Sequence, residues 1–444
     1  MRTKIDIPIP GPLGQPVYRH WWSQLTPLAG LLAVVLPRLF DWLFSLLLIG
    51  LLAPLLIVRG FISQWQSGQV FTCTSLLGRY QEPFQKLAFA GKGRGRSLAV
   101  LFNILRGDMA FAGPRPLSKE EAAQVPVDAL VRFSIRPGLT SPHQLHQRVA
   151  IAHEAESVTD KEFVYGETIK GDAGLIARSA VSNVLGGGAP KPSPPTLNFF
   201  CISMINTTMD EAIDWIVTQT QCAEKSHLAF VNPDCLNIAY TDTEYTGVLR
   251  KATRVLPDGI GIHVGCRMLG VSLRANVNGT DLFPRLCEKV VDQNLSLFLL
   301  GAKPGIADAV AANMRKRYSG LQIVGTQHGY FSNDEEASII QKINASGANI
   351  LLVAFGAPKQ DIWINSHLAD LKPAVCMGVG GLFDFYSGQV SRAPLWMREI
   401  GMEWIWRLIQ EPGRLWRRYV IGNPLFLYRV WKQGTRNKSY FLKK

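Results

Sequence analysis

The chain has 444 residues, a formal net charge of +13 and a pI near 9.5, and 47% of its residues are hydrophobic. That length accommodates two or three domains, and the charge suits nucleic acid, anionic lipid or phosphorylated substrates. No RNA- or DNA-reading fingerprint occurs, so no nucleic-acid partner is expected, and a mean hydropathy of +0.08 argues against a purely soluble enzyme. Seven cysteines stand at 73, 201, 222, 235, 266, 287 and 376. Their odd number and the lack of any C-x-x-C pair argue against a disulfide framework or a zinc site, and suit reduced, mostly buried thiols.

Residues 1–37 read as an irregular, Pro-rich segment with Trp21, Trp22 and a short apolar run over 28–36. No small-residue cleavage site follows a charged start, so a signal peptide is not expected. Residues 39–58, LFDWLFSLLLIGLLAPLLIV, carry one charge, Asp41. Twenty helical residues reach about 30 Å, the thickness of a hydrocarbon core. A buried soluble helix and a straight membrane span both fit. Pro54 opens a third path, because proline inside a helix removes a hydrogen bond and kinks it, which would return the chain within one leaflet.

Residues 59–185 are short and mixed, with basic clusters such as GKGRGRS. Residues 186–198, GGGAPKPSPPTLN, are a linker by composition. After it, apolar strands alternate with helices. TTMDEAIDWIVTQT is a helix and HLAFVNPD a strand. SLFLLGAKPG, LQIVGTQHGYF, NILLVAFGAPKQ and AVCMGVGGLFDF are further strands with their turns. Between the last four, GIADAVAANMRKRY and DEEASIIQKINAS supply helices. This alternation predicts an α/β fold, a Rossmann-like parallel sheet with helices on both faces, over residues 199–400. Ligands bind such sheets at the carboxyl ends of the strands. No internal repeat is present.

Those ends carry the candidate chemistry. Asp258, in VLPDGIGI, is placed either to take a proton from an attacking hydroxyl or to cap a helix starting at Gly259. Asp281, in NGTDL, is placed to cap. Asn232 and Asp234 lie in FVNPD, and Lys359 and Gln360 in GAPKQD. Gly301, Gly305 and Gly380 can cradle a diphosphate with backbone N–H groups. His263 and His328 are isolated and read as structural. Without H-E-x-x-H, a Cys/His cluster or a D-x-D pair, a metal-independent mechanism is expected. From Glu403 onward the chain holds ten Lys or Arg against two Glu, interleaved with Trp404, Trp406, Trp416, Tyr419 and Trp431. That mixture suits a helix lying on an anionic membrane, and residues 401–444 form this appendage. Pro412 starts a helical turn on which Arg414 and Arg417, three apart, share a face able to grip a diphosphate.

The runs VNPD, LPDGIGI, GTDL, FLLGAKPG, GTQHGYF, INASGANILLVAFGAPKQD, GVGGLFDFYSGQVSRAPLWM and EWIWRLIQEPGRLWRRY resemble the WecG/TagA/CpsF family of bacterial glycosyltransferases over residues 199 to about 420. The resemblance implies an inverting enzyme that needs no metal or cofactor. It would move a sugar from a UDP-sugar onto a saccharide on undecaprenyl diphosphate, for surface polysaccharide or a teichoic-acid linkage. The expected place is the cytoplasmic side of the inner membrane, alongside other polysaccharide assembly proteins. The family's base falls on Asp258, its donor-site polar residues on Asn232 and Gln360, and its acceptor-diphosphate arginines on Arg407, Arg414 and Arg417. Two positions depart from some members: Phe230 stands for Thr and Asn276 for Arg, with Arg274 two residues away.

RLFDWLFSLLLIGLLAPLL, ILRGDMAFAGPRPL and FSIRPGLTSPHQ, within residues 38–185, resemble monotopic phosphoglycosyl transferases. That family keeps a re-entrant helix broken at a proline, here Pro54, and an adjacent Asp-Glu pair whose Asp attacks phosphorus, with magnesium nearby. The matching positions hold Arg96 and Ser97. A serine cannot readily attack phosphorus and leave again as a carboxylate does, and Arg96 would repel the metal. This half is therefore expected to be a degenerate transferase that anchors the chain, with Arg115, Arg136 and the GPRP loop as candidate holders of lipid phosphate. Two rival readings are a bifunctional enzyme, which the missing acid pair opposes, and a silent assembly scaffold, which UDP release would exclude.

Overall fold

The computed structural model describes residues 27–93, 95–149, 156–165, 169–186, 192–222 and 224–441. Trp21, Trp22, Arg94 and the middle of the linker lie outside them. The chain forms two compact units, residues 1–148 with 153–184, and residues 149–152 with 185–444.

The first unit begins with α1 (Pro27–Leu51) and α2 (Ala53–Ser67), so helix starts ten residues before the expected boundary at 37. Val35–Leu51 and α2 meet at a 72° bend. Among the described residues no single helix is long and apolar enough to cross a membrane, but this bent pair is when taken together. The bend falls at Leu52, and Pro54 sits in the first turn of α2, where a missing N–H removes no helical bond. Both helices are inside-out. The buried stripe of α2 holds Leu56, Arg59 and Ser63, while Phe61 and Trp65 are 74% and 89% exposed. In α1, Asp41 and Ser45 are buried and Trp42, Leu43 and Leu47 exposed.

The buried polar groups fasten the pair to the rest of the unit. Asp41 accepts from the Phe111 amide at 3.2 Å and pairs with Arg136 at 3.3 Å. Arg38 donates to the carbonyls of Ile104 and Leu105, at the end of α3 (Val100–Arg106). A hairpin of β1 (Phe71–Leu77) and β2 (Pro83–Phe89) packs on α3 through Asn103. The Asn103 side chain accepts from the Leu87 amide and donates to Gln85 O and Asp108. The remainder comprises β3 (Ala110–Ala112), α4 (Lys119–Ala122), β4 (Gly138–Thr140), α5 (Pro142–Val149), α6 (Glu156–Tyr165) and α7 (Ile169–Gly186). Arg115 is held by Glu121 and Glu156, at 2.9 and 2.8 Å. The candidate phosphate holders Arg115 and Arg136 are thus both committed to ion pairs within the unit.

The second unit opens with an antiparallel pair, β5 (Thr196–Phe199) and β6 (Ile202–Ile205), then α8 (Met209–Gln219), whose capping box joins Thr208 and Glu211. Next come β7 (Ser226–Val231), α9 (Pro233–Thr241), α10 (Thr243–Lys251), β8 (Arg254–Pro257), α11 (Ile260–Leu269) and α12 (Gly279–Asp292). β9 (Ser296–Gly301), α13 (Ile306–Arg317), β10 (Gln322–Gln327), α14 (Asn333–Ala345), β11 (Ile350–Ala354), α15 (Lys359–His367) and β12 (Val375–Gly378) continue the alternation. The six strands β7–β12 form one parallel sheet in the order β10-β9-β11-β12-β7-β8. β7, β9 and β11 are buried along their whole length, because helices cover both faces. α8, α12 and α13 pack on one face. α9–α11 pack on the other under β7 and β8, and α14–α15 under β9, β11 and β12. The expected α/β architecture is present. The chain leaves β9 for β10 on one side and β11 for β12 on the other, so the strand order reverses between β9 and β11.

Short helices follow: α16 (Leu382–Tyr386), α17 (Leu395–Glu399), α18 (Glu403–Gln410) and α19 (Pro412–Trp416). Arg417–Gly422 winds as a π-helix into α20 (Asn423–Phe441). Phe426 is fully buried, with its ring 5.9 Å from Phe199. Asn237 donates to Gly422 O, Arg429 donates to Asn237, and Gln433 bonds the backbone of Asn198 and Phe200. Truncating a buried aromatic costs about 3–5 kcal/mol. Phe426→Ala in the full-length protein should therefore speed protease cleavage within 417–441 while far-UV circular dichroism stays unchanged. Unaltered cleavage would show that the polar bonds alone hold α20.

Candidate active site

A cleft of about 1360 Å³ opens over the carboxyl ends of β7, β8, β9, β11 and β12. Asn232, Asp258, Gln360, Gly380, Arg407 and Arg414, all singled out in the sequence, line it. The cleft thus lies where the strand order reverses, the usual ligand position in open α/β sheets.

Asp258 follows the last residue of β8, and its amide donates to Val231 O at 2.9 Å, which ties it to the end of β7. It does not cap α11: the cap position is Gly259, with φ 89° and no side-chain bond. The Gly259 amide donates instead to Asn276 Oδ1 at 2.7 Å. The Asp258 carboxyl is therefore left to the cleft. Burial pushes it up to about 6, and the negative charges of Glu403 and Asp281 add to the rise. The positive charge of Arg418 and a hydrogen bond from Asn232 oppose it. Asn232 has a second task, since its Oδ1 accepts from the amides of Asp234 and Cys235 and caps α9.

Gln360 is buried in the first turn of α15 and accepts from the Gly380 amide at 2.8 Å. It lies so close to β12 that a Cβ on Gly378 would come within 2.6 Å of its amide nitrogen. A side chain there would dislodge Gln360, and the loop carrying Gly380 with it. Next to Gln360, Asp361 is fully buried, accepts from Tyr245 Oη at 3.1 Å and meets His227 at 3.4 Å.

Gly301, Gly305 and Arg417, also proposed from the sequence, do not line the cleft; Ala302 and Lys303 do. Gly301 has a φ of 129° and a Cβ there would approach Ala354 O to 2.6 Å, so glycine is needed for strand contact. Arg417 is exposed, with its guanidinium over the Trp416 ring, and Arg418 enters the cleft wall instead. Residues three and four positions apart are both neighbours on a helix, so spacing from Arg414 does not choose between Arg417 and Arg418. From Arg417 the backbone is a π-helix.

Arg418 Nε lies 3.4 Å from Asp234 Oδ2. Glu411 holds Arg407 and Arg414 together, at 3.1 Å each. Arg407 also stacks over Phe385 at 4.6 Å. Asp281 does not cap α12, because Asn278 does. It pairs with Arg392 at 2.6 Å, and Arg392 reaches Glu403 at 3.4 Å. Arg274 makes a two-point pair with Glu211, at 2.7 and 2.6 Å, and so does not stand in at position 276. Lys303, Glu411 and Arg418 escaped the sequence reading, although Arg418 adjoins a residue that was chosen. Among the described residues no three His, Cys, Asp or Glu side chains are grouped to hold a metal.

Residues 197–440, more than half the chain, match the model of the glycosyl transferase WecG/TagA/CpsF family. The chain belongs to that family. Residues 96–186 match the bacterial sugar transferase model, beginning at Arg96. Among family relatives, a Bacillus subtilis (strain 168) protein is 31% identical over 216 residues, 49% of this chain and 83% of its own length. A Bacillus spizizenii protein is 31% identical over 217 residues, 48% of this chain and 83% of its own. Both are described as N-acetylglucosaminyldiphosphoundecaprenol N-acetyl-beta-D-mannosaminyltransferases.

A general base works ionised, so its activity is present above its pKa and lost as pH falls through it. With Asp258 as the base, kcat/KM for sugar transfer should decline about tenfold per pH unit below about pH 6. A pH profile with no acid limb near that value would assign the proton to another group.

Proposed function

We propose that the chain is a membrane-associated, inverting glycosyltransferase that moves a sugar from a UDP-sugar onto an undecaprenyl-diphosphate-linked saccharide in surface polysaccharide synthesis. The observation that carries this reading is Asp258: a carboxyl at a strand end that caps no helix, pushed up to about 6, in a cleft lined by five cations, Lys303, Lys359, Arg407, Arg414 and Arg418. Asp258 takes the proton from an acceptor hydroxyl as its oxygen bonds to the donor's anomeric carbon. The bond from that carbon to the UDP oxygen breaks on the opposite face, and UDP leaves with the electron pair.

Gln360, through the Gly380 amide, shapes the donor loop, and Asn232 orients the base. The cations balance the diphosphate charge without a metal. Asn232, Gln360 and Gly380 serve the donor; Arg407 and Arg414, joined by Arg418 in place of Arg417, serve the acceptor diphosphate. The exposed Trp416, Val420, Ile421, Tyr428 and Trp431 beside these arginines suit the interfacial region of a bilayer, where the lipid carrier resides. The first unit supports the same placement. Its bent, inside-out helix pair enters one leaflet from the cytoplasmic side, and Arg96 and Ser97 leave it an anchor rather than a second transferase.

The test offers detergent-solubilised full-length protein a panel of UDP-sugars, with undecaprenyl phosphate in one arm and an undecaprenyl-diphospho-sugar in the other. UDP should appear only in the second arm. Asp258→Asn should lower its release by about 10²- to 10⁴-fold with an unchanged thermal unfolding midpoint. UMP release with undecaprenyl phosphate would mean that the first unit initiates the chain. Full turnover in the variant would remove Asp258 from the mechanism.

A further inference from the structure

The first unit carries a feature that anchoring by the helix pair alone does not use. Between Glu82 and Asp108 the sequence holds Lys86, Lys92, Arg94, Arg96 and Arg106 and no carboxylate. Lys92 and Arg96 are exposed, and no ion pair engages either among the described residues.

The loop that bears them is strapped to α2. Arg59, buried in the polar stripe of that helix, donates to Ala90 O at 3.1 Å and Lys92 O at 3.3 Å. The Lys92 amide donates to Gln66 Oε1 at 3.1 Å, and Arg96 Nε donates to Phe89 O at 3.0 Å. Gln66 follows Trp65, the most exposed of the large apolar residues on α2 at 89%. Gly91, with φ 74°, lies against Gln66 so closely that a Cβ would come within 2.5 Å of Oε1. Lys92 is thus held at the rim of an apolar helix face by backbone bonds that leave its ammonium free, and Arg96 by its Nε alone, with both terminal guanidinium nitrogens left over.

We infer that Lys92 and Arg96 form a seat for anionic lipid headgroups: they grip headgroup phosphates while the apolar face of α2, ending at Trp65, enters the acyl layer. Apolar insertion joined to a basic patch is the two-signal arrangement that stable peripheral anchoring requires. Each Lys or Arg at an anionic surface contributes about a factor of five. The inference rests on the proposed membrane seating of α1 and α2.

The experiment is flotation of the purified full-length protein with vesicles of phosphatidylcholine, alone or mixed with phosphatidylglycerol. Replacing both cations, Lys92→Gln with Arg96→Gln, should weaken partition onto the mixed vesicles by about 30-fold and leave partition onto phosphatidylcholine unchanged. Lys92→Arg with Arg96→Lys should restore wild-type partition, which a structural role for the lost Arg96 hydrogen bond would not allow. Lys119→Gln with Lys251→Gln removes the same charge elsewhere and should have no effect. Equal loss in that control, or no loss in the loop variant, overturns the inference. Displacement by inorganic phosphate at matched ionic strength would overturn it too, by revealing a soluble-phosphate site. Failure of the wild type to float with either vesicle would instead sink the membrane seating itself.

Discussion

Asp234 and Asp258 share the floor of one cleft because β7 and β8 are neighbours and each hands the chain on at its carboxyl end. Asp281 and Glu403 stand close enough to be felt there. Carboxylates gathered in a half-buried place repel one another and resist ionisation unless cations are supplied. Two arginines supply them, Arg418 against Asp234 and Arg392 between Asp281 and Glu403. Both come from chain that follows the last strand. The sheet alone is thus an incomplete site, and the helices after β12 are part of it. Their docking through Phe426, Arg429 and the Asn237–Gly422 bond follows from that need.

Much of the second unit was legible because its strands are buried on both faces, so runs such as SLFLLG and ILLVA read as strands without alternation. Asn232 and Asp258 were legible for a related reason: polar residues directly after a strand can lie only at its end, where the cleft is; Gln360 comes six residues after β11, in the helix that follows its turn. The misses have physical causes too. Gly301 resembles a ligand-cradling glycine, yet its missing Cβ serves contact with β11. Arg418 was missed because helical spacing places both it and Arg417 beside Arg414, and only its ion pair with Asp234 distinguishes it. Glu411 lies four residues after Arg407 and three before Arg414, ordinary helical spacings, and was passed over because the arginines alone were read for a diphosphate.

In the first unit, residues 39–58 looked like a membrane segment from apolarity alone, with Asp41 as the one charge and Arg59 just past the end. The structure gives these two residues a task. Asp41 and Arg59 form the attachment of the helix pair to the rest of the unit, and the apolar residues are the ones left outside. The sequence did not display this inversion because both faces of a bent pair are apolar apart from a few polar positions. Only the bonds made by those positions tell which face is inner.

The placement of Arg418 so late in the chain has a consequence for biosynthesis. Translation runs at about 5–20 residues per second, so the α1–α2 pair is synthesised roughly 20–70 s before Arg418. During that interval the first unit can fold, while the cleft of the second still lacks the arginines that balance its carboxylates. A ribosome that stalls before Arg392 therefore leaves behind a cleft whose carboxylates have no cation from the later helices.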